Sequence, residues 1–329
     1  MQQLPPTSPP DRLDVDGAVS GRVTAQFFER VTGLRTALWT LLDGSRETSV
    51  ADLGDRVRSL AAALDAVVRE SPDAVLCTLL LDDRSSYAEI HPAMVGTLCA
   101  MLADPAEFDP PTRLTIIAAA LTCNIGMLDL HERASGLDGP LTDAEREALH
   151  AHPRQSAAHL EAAGVTDPLW LEIVTQHHER PDGSGYPRGL RGAALCRPAR
   201  LVALADVYAA MVLPRQYRDG IHVQRALREI FLQRGTHIDA ALAANFINRL
   251  GVFPPGIFVR LHNGETGVVI ERGRPRPSAP LVSCFRAPHG GTYARPLHRN
   301  TAAGPGFSIA EVLRRQPLPC PIPRLWSAA

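Results

Sequence analysis

The hydrophobic pattern keeps a helical period along most of the chain and then abandons it, which confines the fold to a helical body with a β-rich end. From Arg22 to Leu42 the apolar residues Val23, Phe27, Val31, Leu34, Leu38 and Leu41 recur at steps of three and four, the signature of one amphipathic helix. A second is expected from about Ser49, with Val57, Leu60, Leu64, Val67 and Val68 facing inward and DGSRE forming the turn between the two. Further helices are expected near 73–81, 89–103, 112–128, 142–163, 168–178, 198–212, 222–234 and 239–250, with Asp143 and Asp239 as candidate N-caps. At FPPGIFVRLHNGETGVVIERG the period changes. Ile257–Leu261 and Thr266–Ile270 flank His262-Asn263-Gly264-Glu265, a hairpin signal. Leu281–Phe285 and Thr292–Leu297 are weaker strand candidates, and a short helix is expected near Ile309–Arg314 in a Pro-rich tail. The fold class that follows is mainly α, with a small C-terminal β appendage.

Composition narrows the class of partner. Hydrophobic residues make up 45% of the 329 and charged residues 21%, the balance of a globular chain with a core to bury. The 34 basic residues against 35 acidic ones leave a net charge of -1, without the basic footprint of a nucleic-acid binder. No Lys occurs, so any phosphate contact would be made by an Arg fork. Six scattered Cys with no CxxC read as reduced thiols of a cytoplasmic protein. Residues 1–18 have neither a basic nor an apolar segment of signal-peptide type and are expected to be a flexible leader. The apolar run Leu114–Leu130 is interrupted by Thr, Cys and Asn, so a buried core helix is expected there and no membrane partner.

One dense motif carries chemistry: Gln176-His177-His178-Glu179-Arg180-Pro181-Asp182-Gly183-Ser184-Gly185-Tyr186-Pro187. Two adjacent His point about 100° apart within a helix, but at a helix end, where the backbone unwinds, both can turn toward one cavity. Alone, such a pair is as often a solvated cap. The loop that follows, with two Gly and a stiffening Pro, weighs against that bland reading.

The segment HHERPDGSGYPRGL resembles the signature of HD-GYP domains, bacterial relatives of the HD phosphohydrolases that hydrolyse cyclic di-GMP. AHP at 151–153, ARLVALADVYAAM at 199–211, RQYR at 215–218 and LGVFPPGIFVRL at 250–261 follow in the family's order, so that the resemblance spans about residues 50–314. It implies an HD-superfamily helical bundle and a site of two or three iron- or manganese-type ions held by His and carboxylates with a bridging Asp. A bimetal clamp of that kind stabilises both the attacking and the leaving oxygen of an in-line phosphoryl displacement. Carried over by position, the implied metal ligands are His91, His152, His177, His178 and Asp206; the residue four before His91, a carboxylate in some relatives, is Tyr87. Arg215 and Arg218 match residues that contact ligand phosphates, while Ala209 stands where a second acid is usual. The Gly185-Tyr186-Pro187 loop is linked in the family to diguanylate-cyclase domains, which implies a partner surface.

The namesake pair departs from the pattern. In IIAAALTCNIGMLDL, Cys123 and Asn124 stand where the family has His and Asp, and Met127 where it has Lys, although Ile125 and Gly126 match. An Asp can place one oxygen on each of two cations, whereas Asn offers one neutral acceptor. The resemblance therefore implies a degenerate phosphodiesterase with no intact catalytic set, holding one metal or none, and serving as a regulator that binds cyclic di-GMP or a signalling partner. Two other readings stay open. One is a working phosphodiesterase with a nonstandard metal site, completed by water in place of the lost ligands or by Cys123, which with His152 and Asp206 could hold an ion, against the plainer reading of a buried thiol. The other is a structural module, with the 22–42 helix pairing with its twin in a homodimer. The expected organisation is a leader (1–18), an N-terminal helical segment (19–48), the HD-GYP helical domain (49–253) and a β extension with a Pro-rich tail (254–329).

Overall fold

The structure is a computed structural model and describes residues 23–45, 52–130, 142–214, 223–274 and 276–327. The expected leader and the expected phosphate ligands Arg215 and Arg218 lie outside the described residues.

Ten α-helices and five strands are present among the described residues, in the order the periodicity implies except for the last strand. The helices are α1 (Ala25–Gly44), α2 (Leu53–Glu70), α3 (Pro72–Leu81), α4 (Tyr87–Leu102), α5 (Pro110–Thr122), α6 (Asp143–Ala162), α7 (Pro168–Gln176), α8 (Arg197–Val212), α9 (Val223–Gln233) and α10 (Ala240–Leu250). Several begin where a short oxygen-bearing side chain can take up orphan backbone N–H groups. Thr24 accepts from Phe27 N, Ser86 from Glu89 N, and Asp109 from Thr112 N. Asp167 and Asp239 each accept from two N–H groups, Asp239 in the role expected of it. The cap of α6 differs from expectation. Thr142, not Asp143, is the N-cap, in a capping box with Glu145, and Asp143 is the first helical residue.

Helix α4 is the centre of the body, with every residue buried except Glu89. A helix apolar all round needs cover on all sides. It packs on α5, α8, α2 and α3. Gly96 sits where α4 meets α5: a Cβ there would lie 2.6 Å from Leu121 Cδ2 and 3.0 Å from Leu64 Cδ2, so any larger residue would push the three helices apart. Pro110–Leu130 is long and apolar enough to cross a membrane, but 83% of its most apolar window is buried in the fold, as a core helix is. The apolar stripe of α1 (Phe27, Phe28, Val31, Leu38, Leu41, Leu42) is likewise buried within its own chain.

Two further sequence expectations need correction. The helix expected over 112–128 ends at Thr122; a 3-10 turn, Ile125–Met127, follows after Asn124 leaves helical geometry at φ -103°, ψ 10°. The helix expected near Ile309–Arg314 is a strand. Ile309, Val312 and Leu313 are apolar enough for either period, and pairing decides between them: the segment completes the edge of the sheet.

That sheet has five antiparallel strands, β1 (Phe258–Leu261), β2 (Thr266–Glu271), β3 (Leu281–Arg286), β4 (Thr292–Asn300) and β5 (Ile309–Leu313), in the order β4-β3-β2-β1-β5. The β1–β2 hairpin turns at the expected residues, with Gly264 at φ +88°. The sheet is tied to the body through β2, which packs on α3. Arg272 directs its backbone N–H and Nε to the Asp73 carboxylate at the start of α3. Gly256 approaches Leu80 so closely that a Cβ would meet it at 2.9 Å.

Candidate metal centre

The three imidazoles of His152, His177 and His178 converge, with one ring nitrogen of each within 4.8 Å of the others. His152 projects from α6, while His177 and His178 lie at the end of α7, where the helix has unwound enough for neighbours in sequence to face one point.

The orientation of each ring has a local cause. His152 Nδ1 lies 2.6 Å from Leu149 O. That carbonyl would ordinarily accept from the residue four further on, but this is Pro153, which has no N–H. The proline frees an acceptor one turn back, and the imidazole takes it. His177 Nδ1 likewise donates to Val174 O at 2.6 Å, one of the last carbonyls of α7, which have no helical donor. A carbonyl only accepts, so both Nδ1 atoms carry the proton and both Nε2 atoms present lone pairs.

Those two Nε2 atoms are 3.1 Å apart. Two lone pairs cannot form a hydrogen bond, and protonation is no remedy here. Burial, with the neighbouring His177 and His178, pushes His152 down to about 2; burial and His177 push His178 down to about 3; burial lowers His177 too. A cation between the nitrogens resolves the contact. Ligand nitrogens about 2.0–2.1 Å from one ion stand about 3 Å apart when they subtend a right angle. Backbone carbonyls on the far nitrogens are the usual outer support of metal-bound imidazoles. The donor set therefore fits a divalent transition ion.

The remaining expected ligands form a second cluster beside the first. Asp206 on α8 accepts two hydrogen bonds on one oxygen, Oδ1: from Asn124 Nδ2 at 3.0 Å and from His91 Nε2 at 2.9 Å. Burial alone would raise the Asp206 carboxyl. The His91 hydrogen bond and the facing His rings hold it well below the usual carboxylate range. Its charge reaches all three rings of the metal cluster. Tyr87 stacks on His91 with centroids 4.9 Å apart. The five expected ligands thus separate into three imidazoles with bare nitrogens and a His91–Asp206 pair engaged with Asn124.

Cys123 is fully buried, and its thiol donates to Ala120 O in its own helix at 3.5 Å, with burial and then Asp206 pushing its pKa well up. It is outside the three-His cluster. Met127 is buried in the 3-10 turn, where Gly126 lets α6 come close: its N–H donates to Ser156 Oγ at 3.0 Å, and a Cβ would lie 2.7 Å from Ser156 N. Ser156 lies one turn beyond His152, so this contact sets the height at which His152 enters the site.

The glycine-tyrosine-proline loop is braced from within. Buried Glu179 accepts from Arg188 N at 2.6 Å and Leu190 N at 2.8 Å; Asp182 accepts from Ser184 N and Oγ; Tyr186 N donates to His178 O at 3.1 Å. Gly185 has backbone within 2.4–2.6 Å of where a Cβ would be, so only glycine fits. The Tyr186 ring stacks between His178 (4.8 Å) and His150 (4.4 Å) and walls the cluster, and Arg154 donates to Pro187 O at 3.2 Å.

Sequence reasoning passed over Glu179, His150, Ser156 and the Leu149 and Val174 carbonyls. Only Glu179 had a visible signal, an acid next to the His pair; His150 lies in an ordinary polar stretch of α6. Pro153→Ala tests the orienting role of the proline. The new N–H competes for Leu149 O and unpins the ring, so metal affinity is expected to fall about 10–100-fold by competition titration with a chromophoric chelator. Unchanged affinity would remove that role.

Residues 76–242 match the HD domain family model. A cyclic di-GMP phosphodiesterase of Pseudomonas aeruginosa is 31% identical over 226 residues, 69% of this chain and 54% of that protein. A 3'3'-cGAMP-specific phosphodiesterase of Vibrio cholerae is 31% identical over 154 residues, 47% of this chain and 36% of that protein. The chain thus spans about half or less of the length of these relatives. Among solved structures, an HDG"Y"P protein of Bdellovibrio bacteriovorus superposes with a TM-score of 0.57 at 16% identity, covering 71% of this chain and 76% of that one, which is a likeness of fold. The matched segment runs from α3 to α10 and carries every histidine of the cluster together with Asn124 and Asp206, and on that match the chain belongs to the HD domain family.

Proposed function

We propose that this chain is a degenerate HD-GYP protein of bacterial cyclic di-GMP signalling, which holds a single divalent ion and binds nucleotide or a signalling partner without efficient hydrolysis. One observation carries the reading: the amide of Asn124 donates to Asp206 Oδ1, at the position where the family pattern has a carboxylate able to join two cations.

The charge balance argues for one ion. Three neutral imidazoles add no negative charge, and Asp206 is the acid whose field reaches them. Two dications about 4 Å apart repel by on the order of 16 kcal/mol at an effective dielectric of about 20. A second carboxylate would have offset part of that, and Asn124 is neutral. One ion beside Asp206 leaves a net charge of +1, which a phosphate oxygen can meet.

A bound ion supplies Lewis acidity toward a phosphoryl oxygen. The other parts of the task fall to the chain. His152, His177 and His178 would hold the ion, the first two through Nε2 atoms set by the bonds of their Nδ1 atoms to Leu149 O and Val174 O. Asp206 sets the local charge and is kept ionised by His91. Tyr186 closes one wall with its ring face, and Glu179 fixes the loop that presents it. Met127, an apolar thioether where the family has Lys, gives the scissile phosphate no cation. Cys123, bonded to its own helix, does not support the reading of a nonstandard thiolate site. Iron and manganese are the ions the family implies, and the braced Gly185-Tyr186-Pro187 loop is the surface proposed for a diguanylate-cyclase-type partner.

Calorimetry and turnover on one manganese-loaded sample test the reading. Cyclic di-GMP is expected to bind at micromolar concentration while hydrolysis stays well below 1 s⁻¹, the low end of common enzyme rates of about 1–10³ s⁻¹. Turnover within that range would contradict it.

A further inference from the structure

Two of the three converging imidazoles are set by the backbone, and the third is not. His152 and His177 each bring Nδ1 to a carbonyl, whereas no hydrogen bond among the described residues holds either ring nitrogen of His178. The last torsion of a histidine side chain is broad, so a ring without such a bond keeps its angle only through what packs on its faces. His178 is half-buried at the end of α7. Its partners in the cluster meet it at an angle, His177 with centroids 4.2 Å apart and planes at 41°, His152 at 4.9 Å and 81°. Tyr186 meets it closer to parallel, at 4.8 Å and 27°.

Tyr186 is itself held from two sides. Its N–H donates to His178 O at 3.1 Å, which brings the loop back over the imidazole that the tyrosine ring covers. One face of Tyr186 cannot carry two stacked rings, so His150 takes the other, at 4.4 Å and only 5° from parallel. His150 and Arg154, four residues apart and so on one face of α6, both meet this loop, Arg154 by its hydrogen bond to Pro187 O at 3.2 Å. His150 is exposed and is no part of the core. We infer that His150 and Tyr186 are positioning residues for the third metal ligand. The column His150–Tyr186–His178 does by stacking what Leu149 O and Val174 O do by hydrogen bonding for the other two rings, a role that rests on the three-His centre proposed above. The outer partners of a metal-bound imidazole are felt in metal affinity, and a stacked ring is a weaker partner than a bonded carbonyl.

Cobalt(II) titration of the full chain against a chromophoric chelator, with the visible d–d bands recorded at saturation, tests this role. Tyr186→Leu and His150→Ala are each expected to weaken cobalt binding about three- to tenfold and to alter the bands, because His178 no longer enters at one angle. Tyr186→Phe and His150→Phe keep a ring in the column and are expected to bind as the unaltered chain does, which sets aside the hydroxyl and the imidazole charge as causes. His178→Ala supplies the deciding background, its weaker binding read directly from the bands at higher cobalt: with the third ligand gone, adding His150→Ala is expected to change affinity no further. If Tyr186→Leu folds poorly, the exposed His150 variants carry the test. Cobalt binding unchanged in Tyr186→Leu and His150→Ala would overturn the proposal and leave the three-His centre standing, as would a His150→Ala effect that persists in full without His178. An unaltered chain that takes up no cobalt would refute the centre itself, and the positioning role with it.

Discussion

Cys123→His, Asn124→Asp and Met127→Lys, introduced together, are expected to raise cyclic di-GMP hydrolysis in manganese by on the order of a thousandfold or more. The expectation follows from what each change adds. Asp at 124 exchanges a donor to Asp206 for a second anion, which both offsets the repulsion between two cations and gives them a shared ligand. His at 123 supplies the missing nitrogen, and Lys at 127 brings positive charge to the phosphate. Metal polarisation of a phosphoryl oxygen contributes several kcal/mol in the transition state, and each 1.4 kcal/mol is about tenfold in rate. The single changes are expected to recover little, because groups that act as a unit are far from additive. Cys123 is fully buried, so the larger imidazole carries an overpacking cost of about 1–3 kcal/mol. Folding of the triple variant is therefore checked by denaturant titration beside the assay. A folded triple variant that binds two ions and hydrolyses nothing would show that the loss lies elsewhere in the pocket.

His177→Ala is expected to abolish tight metal binding. The ring is fully buried, is oriented by Val174 O, and faces His152 Nε2 directly. Loss of an outer-shell partner alone costs about 10–100-fold in metal affinity, so removing a ligand should exceed a hundredfold. Elemental analysis after dialysis against a weak chelator reads this directly. A second readout is stability: a strong chelator should lower the unfolding midpoint of the unaltered chain, by removing the ion that separates two lone pairs, and should leave His177→Ala unmoved. Full metal retention by the variant would exclude the three-His centre.

Much of the architecture was legible because helical periodicity is a property of neighbours three and four apart, and burial in this fold follows it. Leu114–Leu130 shows where that reading stops. Thr, Cys and Asn interrupt its apolar run, yet nothing local requires a break at Asn124, since the break serves a tertiary contact: Gly126 lies against Ser156, thirty residues on. Ile309–Leu313 failed for a related reason, as a short apolar run takes the period of whatever it pairs with, and here that is β1. Asp143 was passed over as cap because Thr142 with Glu145 satisfies two N–H groups at once. At the site, the identities of His152, His177 and His178 and of the Cys123–Asn124 departure could be read from spacing and resemblance. What could not be read is that Asp206 turns to His91 and Asn124 while the three imidazoles face one another. That division depends on which nitrogen carries each proton, and so on Pro153 freeing a carbonyl.

The count of transition ions in the full chain, purified without chelator and supplied with iron or manganese, bears most directly on the claim that one cation is held where the HD-GYP resemblance implies two or three. One ion per chain, lost in His177→Ala, is the predicted result. Two ions per chain with magnetic coupling through a shared ligand would contradict it.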